Sequence, residues 1–401
     1  MNRNRVNKKR TGGASARVLS RAAAGMLAAA LCFQPMTALA GPAGDSSLTS
    51  SSSNAGPGGG SGSSNSGSTG SFGGSTSVSN GSVSAVTSGL GVYRVTENEG
   101  IGAIARGVDV SYWQQNVNWS QVASDNVQFA MLATRFRGNV DPFFAMNAAN
   151  ASQAGLRLGA YIYSYATSVE MAQQEADFVL NLIKDYPLSF PVVFDAEDAN
   201  TLGTLTPSQV SDVINAFCKR IQDAGYYPMV YANEYWIANK IDMSKISYDM
   251  WVAKYQQKYT YSKTSMWQAS NTGSVKGVNG NVDIDYLYKD YTQIIPGNTW
   301  RTIAGDRYYY QNHVMQKLAW INDGQNWYYM NAAGNPSTGW LELSGKKYYL
   351  EADGHMITGW KTLDGGWRYF DASGEQATGW RAVDGSWYFM ADNGLMQTGW
   401  L

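Results

Sequence analysis

Trp300, Trp320, Trp340, Trp360, Trp380 and Trp400 recur every 20 residues through the end of a 401-residue chain. So strict a period excludes an ordinary globular core for this segment. Each unit must be one supersecondary element that buries its apolar face only by stacking on its neighbours. Four of these tryptophans stand in Thr-Gly-Trp, and interior aromatics repeat at Tyr308-Tyr309, Trp327-Tyr328-Tyr329, Tyr348-Tyr349, Trp367-Arg368-Tyr369 and Trp387-Tyr388-Phe389. Residues 299–401 are therefore expected to be a solenoid of β-hairpins. The aromatics either serve only as its core or also present faces to a ligand.

The other end of the chain has a different constraint. Met1 to Ala40 holds seven basic residues and no acid, then an apolar run from Ala22 to Phe33 and a small-residue site at Ala38-Leu39-Ala40. This is the pattern of a secretory signal, with an apolar run too short to span a bilayer. Export follows, with no stable membrane insertion. Cys32 falls inside that run after Leu31, which argues against a lipidated cysteine; Cys218 is then the only cysteine of the exported part, and no disulfide can form within it. Without the signal, 23 basic residues face 31 acidic ones, a net of −8, and no basic run remains to bind nucleic acid. Residues 41–92 are mostly Gly, Ser, Asn and Thr, a composition that cannot offset its ordering entropy and reads as a flexible linker.

Between linker and repeats, over 93–291, short apolar runs alternate with helical stripes. Strands are expected at 107–111, 129–135, 158–165, 191–197, 228–233, 250–255, 265–269 and 282–287. Thr167 and Glu170 are spaced as a capping box ahead of a helix at 171–183. Thr206-Pro207 opens a second helix, whose stripe of Val210, Val213, Ile214, Phe217 and Ile221 ends at Gly225. The later connections are too short or too polar for full helices. Alternation of this kind predicts an α/β fold, a parallel TIM-like barrel incomplete in its later helices.

Such barrels place their chemistry at the C-terminal ends of the strands. Those ends supply Asp109 and Ser111, Tyr163 and Tyr165, Asp195 and Glu197, Tyr231 and Asn233, Trp251, Trp267 and Gln268, and Asp283 and Asp285. The run Phe190-Pro-Val-Val-Phe-Asp-Ala-Glu-Asp198 is the most informative. With a strand's period of two, Asp195 and Glu197 share a face with Val193, and like charges over an apolar floor do not both ionise freely. One can stay protonated and act as a general acid. Carboxylates for acid–base work and aromatic faces for sugar rings together describe a glycosidase. Only His313 and His355 exist, both beyond the barrel segment. A histidine-liganded zinc, a Cys-His pair and a Ser-His-Asp triad are thereby excluded from it, and no cofactor is expected.

The motifs Arg106-Gly-Val-Asp-Val-Ser111, Asp141-Pro-Phe-Phe with Asn147 and Ala154-Gly-Leu156, Gly159-Ala-Tyr161, Phe194-Asp-Ala-Glu197, Gly225-Tyr-Tyr-Pro228, Trp251-Val-Ala-Lys-Tyr255, Trp267-Gln268 and Val282-Asp-Ile-Asp285 stand in this order. Together they resemble glycoside hydrolase family 25, the N-acetylmuramidases (lysozymes) that cut the β-1,4 bond between N-acetylmuramic acid and N-acetylglucosamine in peptidoglycan. The resemblance implies an irregular barrel of five β/α units plus three strands. It implies Glu197 as general acid, with Asp195, Asp109 and Asp283 completing the acidic cluster. Tyr163, Tyr165, Tyr231, Trp251, Trp267 and Gln268 are the expected substrate contacts. Ala133 departs from the pattern, since the family often carries Lys or Arg there. Two mechanisms remain open: attack by the substrate's own acetamido carbonyl with Asp195 orienting it, or a two-carboxylate scheme.

The terminal units resemble the cell-wall-binding repeats of choline-binding proteins, in which aromatics cage a quaternary ammonium. Trp320, Trp327, Trp340, Trp360, Trp367, Trp380, Trp387 and Trp400 would line such cages, each interior tryptophan paired with the Thr-Gly-Trp tryptophan 13 residues later. Arg307 and Lys347 stand where two units lack the interior tryptophan. The expected partners are peptidoglycan and choline-bearing teichoic acid or another wall polysaccharide, at a bacterial, Gram-positive cell wall. A non-catalytic wall adhesin and a chitinase-like glycosidase are the rival readings; the four intact acids oppose the first.

Overall fold

The computed structural model describes residues 85–94, 102–255, 259 and 261–399. The expected signal, most of the expected linker and Trp400 lie outside them. An N-terminal hairpin, β1 (Ala85–Ser88) and β2 (Gly91–Arg94), precedes the barrel. It occupies the end of the expected linker, yet Tyr93 is fully buried and Asn126 brackets the backbone of Arg94 with two hydrogen bonds. Val86, Val92 and Tyr93 give this stretch apolar area that the Gly/Ser run lacks, enough to hold it down.

The chain continues through β3 (Ala105–Val110), α1 (Trp119–Ser124), β4 (Phe129–Ala133), a small hairpin of β5 (Arg135–Phe136) and β6 (Asn139–Val140), α2 (Phe144–Gln153), β7 (Arg157–Tyr163), α3 (Val169–Ile183), β8 (Leu188–Asp195), α4 (Pro207–Asp223), β9 (Pro228–Asn233), α5 (Glu234–Asn239), β10 (Asp249–Ala253), β11 (Thr264–Gly273) and β12 (Val282–Leu287). Strands β3, β4 and β7 to β12 close into a barrel in chain order. The expected five β/α units and three further strands are present. One strand departs from the parallel reading: β12 runs antiparallel to both β11 and β3. An antiparallel return needs no crossover helix, which is why the short link after Gly273 suffices.

All eight residues of β8 are buried. Val193 faces the barrel interior with Phe129, Met131 and Met229, and alternation sends Phe194 outward onto Phe217 of α4 at 5.1 Å; Phe190 joins Val193 inside despite its opposite parity, because the pairing of β7 with β8 shifts register before Val192. Thr206 and Pro207 open α4 as expected, Gln209 completes a capping box with Thr206, and Gly225 takes the left-handed φ of +88° that stops the helix. Cys218 packs in that helix's buried stripe, where burial pushes its thiol pKa up. The cap of α3 is Ser168, not Thr167: the Ser168 hydroxyl accepts from Met171 N at 3.2 Å, while the Thr167 hydroxyl turns to the Met171 sulfur.

The terminal segment is a three-stranded unit followed by four two-stranded hairpins, with backbone bonds between units such as Met356 N to Trp327 O at 2.7 Å and Gln376 N to Lys347 O at 2.7 Å. Its first unit, Thr299–Ile303 with Asp306–Gln311 and Val314–Met315, packs into the barrel's own helical layer. Ile303, Tyr308, Tyr310 and Met315 share the core of α3 and α4. The Tyr310 hydroxyl donates to Lys184 O at 2.8 Å, and Lys317 pairs with Asp185 at 2.7 Å. Arg301, 1% exposed, has its guanidinium carbon 3.9 Å from the Tyr226 ring centre and 4.2 Å from that of Tyr310.

Candidate active site

The barrel mouth is the cleft formed by the C-terminal ends of the parallel strands and the N-terminal end of β12. Because β12 is reversed, Asp283 reaches the mouth at the strand's start, directly opposite Asp109 of β3. Asp285 lies one inward-facing position deeper, fully buried, and accepts from the indole N–H of Trp251 at 2.9 Å. Asp109 accepts from Gln268 Nε2 at 2.8 Å, and Gln268 Oε1 in turn accepts from the hydroxyls of Tyr231 at 2.8 Å and Tyr255 at 3.0 Å. This chain of bonds fixes the Gln268 amide, and through it Asp109, without placing a cation beside either. Burial, then the charge of Asp283, raises Asp109 and Asp285 well above the usual carboxylate range. Burial pushes Asp283 up to about 6.

Across the cleft, β8 ends at Asp195, so Glu197 stands on the loop that follows and not on the strand. Its carboxylate is held all the same, because Oε1 accepts from the backbone N–H of Asn233 at 2.7 Å. Asn233 also caps α5 through its side chain, so one residue fixes both the helix start and the acid. Burial raises the pKa of Glu197 against the lowering effect of that bond, and burial, then the charges of Glu197 and Asp198, raises Asp195 well above its ordinary value. Among the described residues, Asp195 Oδ1 has no hydrogen-bond partner. Asp198 shapes the rim: it accepts from Thr201 N and Oγ1 and from Asn200 N, and takes the Tyr163 hydroxyl at 3.2 Å.

Of the expected substrate contacts, Tyr163, Tyr165, Tyr231, Trp251 and Gln268 line the cleft, with Trp251 forming its buried floor. Trp267 does not. Its parity on β11 is opposite to that of Gln268, so it faces outward, tilted against Tyr286 at 5.7 Å and donating to Lys254 O. Strand-end position named both residues, but only alternation separates them. The cleft also takes Trp113, Arg135, Phe136 and Arg137 from segments outside the barrel strands, and Tyr161 of β7 and Tyr255 just past β10, which stand in the quoted motifs but were not among the expected substrate contacts. Asp285 was visible as the period-two partner of Asp283. Among the described residues, no set of three His, Cys, Asp or Glu side chains is arranged to hold a metal ion.

A stability consequence follows from the acids. A carboxyl whose folded pKa lies above its unfolded value adds stability below the unfolded pKa, and that stability is lost as pH rises through the folded one. For Asp283 the window runs from about 4 to about 6. Asp283→Asn is therefore expected to raise the melting temperature at pH 7 by several degrees, with the gain fading toward pH 4; thermal melts of both proteins across that range check it. A gain as large at pH 4 as at pH 7 would show that the Asp283 charge is not the cause.

In the hairpins, Trp340, Trp360 and Trp380 each back onto the tyrosine or phenylalanine opposite, as Trp340 does on Tyr349 at 5.3 Å. Trp320 meets Tyr348 of the following unit at 5.0 Å, and Trp360 meets Tyr388 at 4.8 Å. Trp367 contacts Trp360, seven positions before it in the same hairpin, at 6.3 Å. Among the described residues no ring contact joins Trp327 to Trp340 or Trp367 to Trp380, the pairs spaced by 13 residues, whereas Trp360 and Trp367 touch within one hairpin. The guanidinium of Arg307 lies 4.2 Å from the Trp300 ring centre, and that of Arg368 lies 5.0 Å from Trp340. Two of the units thus hold a cation of the chain's own against the tryptophan. Trp367, Trp380 and Trp387 are half-exposed or more.

The sequence profile of Glycosyl hydrolases family 25 matches residues 108–278, a choline-binding repeat profile matches 337–378, and a putative cell wall binding repeat profile matches 319–335 and 378–396. Uncharacterized protein YegX of Escherichia coli O157:H7 is 31% identical over 189 residues, 45% of this chain and 68% of that protein. Lysozyme M1 of Streptomyces globisporus is 30% identical over 195 residues, 44% of this chain and 66% of that protein. Among solved structures, the bacterial lysozyme from Streptomyces coelicolor is 25% identical, with a TM-score of 0.39 over 48% of this chain and 95% of that one. The multimodular pneumococcal cell wall endolysin from phage Cp-1, solved with choline, is 22% identical, with a TM-score of 0.38 over 73% and 88%.

Proposed function

The chain belongs to glycosyl hydrolase family 25, and from that membership we propose an exported N-acetylmuramidase that cuts peptidoglycan between N-acetylmuramic acid and N-acetylglucosamine. It works at a Gram-positive wall, to which the repeats hold it. The observation that carries the reading is the pair at the end of β8: Glu197 clamped by the Asn233 backbone, and Asp195 buried beside it with an oxygen that has no partner among the described residues. Burial favours the protonated form of Glu197 in the free protein, the state a general acid needs. The proton passes to the glycosidic oxygen as the bond from that oxygen to C1 breaks. Asp195 Oδ1 accepts from the acetamido N–H of the same sugar and aims its carbonyl oxygen at C1, forming a cyclic oxazolinium. Glu197, now a carboxylate, deprotonates the water that opens this ring, so configuration at C1 is retained. Asp283, ionised above about pH 6, supplies the negative charge opposite, which favours a developing oxocarbenium ion, and Asp109 faces it from β3.

Digestion of purified peptidoglycan and identification of the new reducing end tests the assignment. Muramic acid at that end supports it. Glucosamine points to the other glycosidic bond, and no release at all to the adhesin reading.

The repeats take a quaternary ammonium group of the choline type, borne by a wall polymer such as teichoic acid. The open aromatic sites are Trp320 and Trp327 with Tyr348, and Trp360 and Trp367 with Tyr388, because Arg307 and Arg368 already fill the corresponding faces of Trp300 and Trp340. Each face is worth about 0.5 to 2 kcal/mol to a cation, so a site needs several at once. Choline is expected to quench tryptophan fluorescence of the full chain, and Trp367→Ala to weaken that response more than Lys347→Ala. If millimolar choline leaves the fluorescence unchanged while a choline-free glycan fraction shifts it, the repeats bind carbohydrate instead.

A further inference from the structure

The β5–β6 hairpin brings a second group of side chains into the same cleft, and no step above uses them. Arg137 and Gly138 form its two-residue turn, both with left-handed backbone at φ 48° and 81°, as this tight hairpin class requires. The hairpin is fastened at its base. Phe136 lies flat on Tyr112 at 4.0 Å and 15°, Trp113 stands edge-on to Phe136 at 5.7 Å, and Asp141, just past β6, accepts from Tyr112 N at 2.7 Å.

Two features of this lip point to a ligand. Trp113 lines the cleft with 68% of its surface in water, although packing partners stand beside it. A broad aromatic face held open at a cleft mouth offers a stacking surface for the apolar side of a sugar ring. The other feature is charge. Among the described residues, the cleft lining contains Asp109, Asp195, Asp198 and Asp283 but only two cations, Arg135 and Arg137. Arg135 is already bound to Glu175 at 2.7 Å. Arg137 rests over the Phe136 ring at 5.1 Å and meets no carboxylate among the described residues. A substrate bearing carboxylates is repelled by the acid cluster and needs a countercharge away from it. Among the described residues Arg137 is the spare cation of the cleft, and its planar fork suits a carboxylate.

We propose that Trp113 and Arg137 form a subsite for peptide-substituted muramic acid, Trp113 stacking on a sugar ring of the strand and Arg137 pairing with a carboxylate of the peptide on its lactyl group. The inference rests on the muramidase reading and adds a preference for strands that still carry peptide.

The test compares the full-length protein and its Arg137→Gln variant on two substrates: peptidoglycan strands with their peptides, and the same strands with the peptide carboxylates converted to neutral amides. Arg137→Gln is expected to lower kcat/KM about tenfold on the strands with free carboxylates, the worth of one charge-assisted hydrogen bond, and to leave the amidated strands unaffected. Arg137→Lys should recover part of the loss, and added salt should narrow the wild-type preference. Trp113→Ala should cost activity on both substrates alike. Equal loss on both substrates in Arg137→Gln, or loss on neither, overturns the subsite. Wild-type protein that cleaves neither substrate overturns the muramidase reading itself, so the two failures are distinguishable.

Discussion

Glu197→Gln is expected to keep the fold and wall binding while activity on peptidoglycan falls at least about 10²-fold, the usual contribution of a positioned general acid. Gln preserves the volume and can still accept from the Asn233 N–H through its amide oxygen, so the 2.7 Å bond that holds the side chain survives. What it removes is the transferable proton. It also removes one of the charges that raise Asp195, whose pKa should fall toward its ordinary value. The residual activity of the variant should therefore shift its pH dependence as well as its magnitude. Melting temperature, wall sedimentation and release of reducing ends, measured together, separate these effects. A folded Gln variant with near-full activity would remove Glu197 from the mechanism.

Arg301→Ala is expected to destabilise the full chain by about 3 kcal/mol, in the range of other large buried truncations. The side chain fills the space between the Tyr226 and Tyr310 rings, and Gly225 leaves room for it, since a Cβ there would stand 3.2 Å from the Arg301 stem. Truncation leaves a cavity between the first hairpin and the α4 end of the barrel. Arg301→Met separates volume from charge: it keeps most of the packing, loses the cation–π contacts, and relieves a buried guanidinium whose Nε and Nη1 find no partner among the described residues. Met should therefore cost less than Ala. Thermal unfolding of the three proteins measures both differences, and an Ala variant as stable as wild type would mean that the seam contributes nothing. The same packing changes where the chain can be cut. Ending it after Asp290 would strip Ile303, Tyr308 and Tyr310 from the α3–α4 core, so a cleavage-competent fragment is expected to need the first hairpin, to about Lys317.

Much of the molecule could be read from residue patterns, because those patterns encode distances along one element. Period two on β8 put Asp195 on the interior face beside Val193, and the helical stripe from Val210 to Ile221 placed α4 against the sheet. The 20-residue tryptophan period required stacked hairpins, and strand-helix alternation that weakens after Asn239 required an irregular barrel. Each of these follows from local geometry or from the need to bury a repeating apolar face, and neither depends on what lies across the fold.

Contacts between elements were decided only by the tertiary structure. A strand's alternation is the same in either chain direction, so sequence could not reveal that β12 is reversed and presents Asp283 from its first turn into the sheet. Trp267 and Gln268 are neighbours in sequence and opposites in space; the closure of the barrel determines which of them meets Asp109. Glu197 lies beyond the strand that seemed to carry it, and its position depends on a backbone N–H of β9, 36 residues away. The same holds for Arg301, which reads as an ordinary charged residue of a repeat until two tyrosines from separate elements close over it. Local pattern fixes which face a side chain takes, whereas the packing of distant elements fixes what that face meets, and the chemistry proposed for this cleft depends on the second.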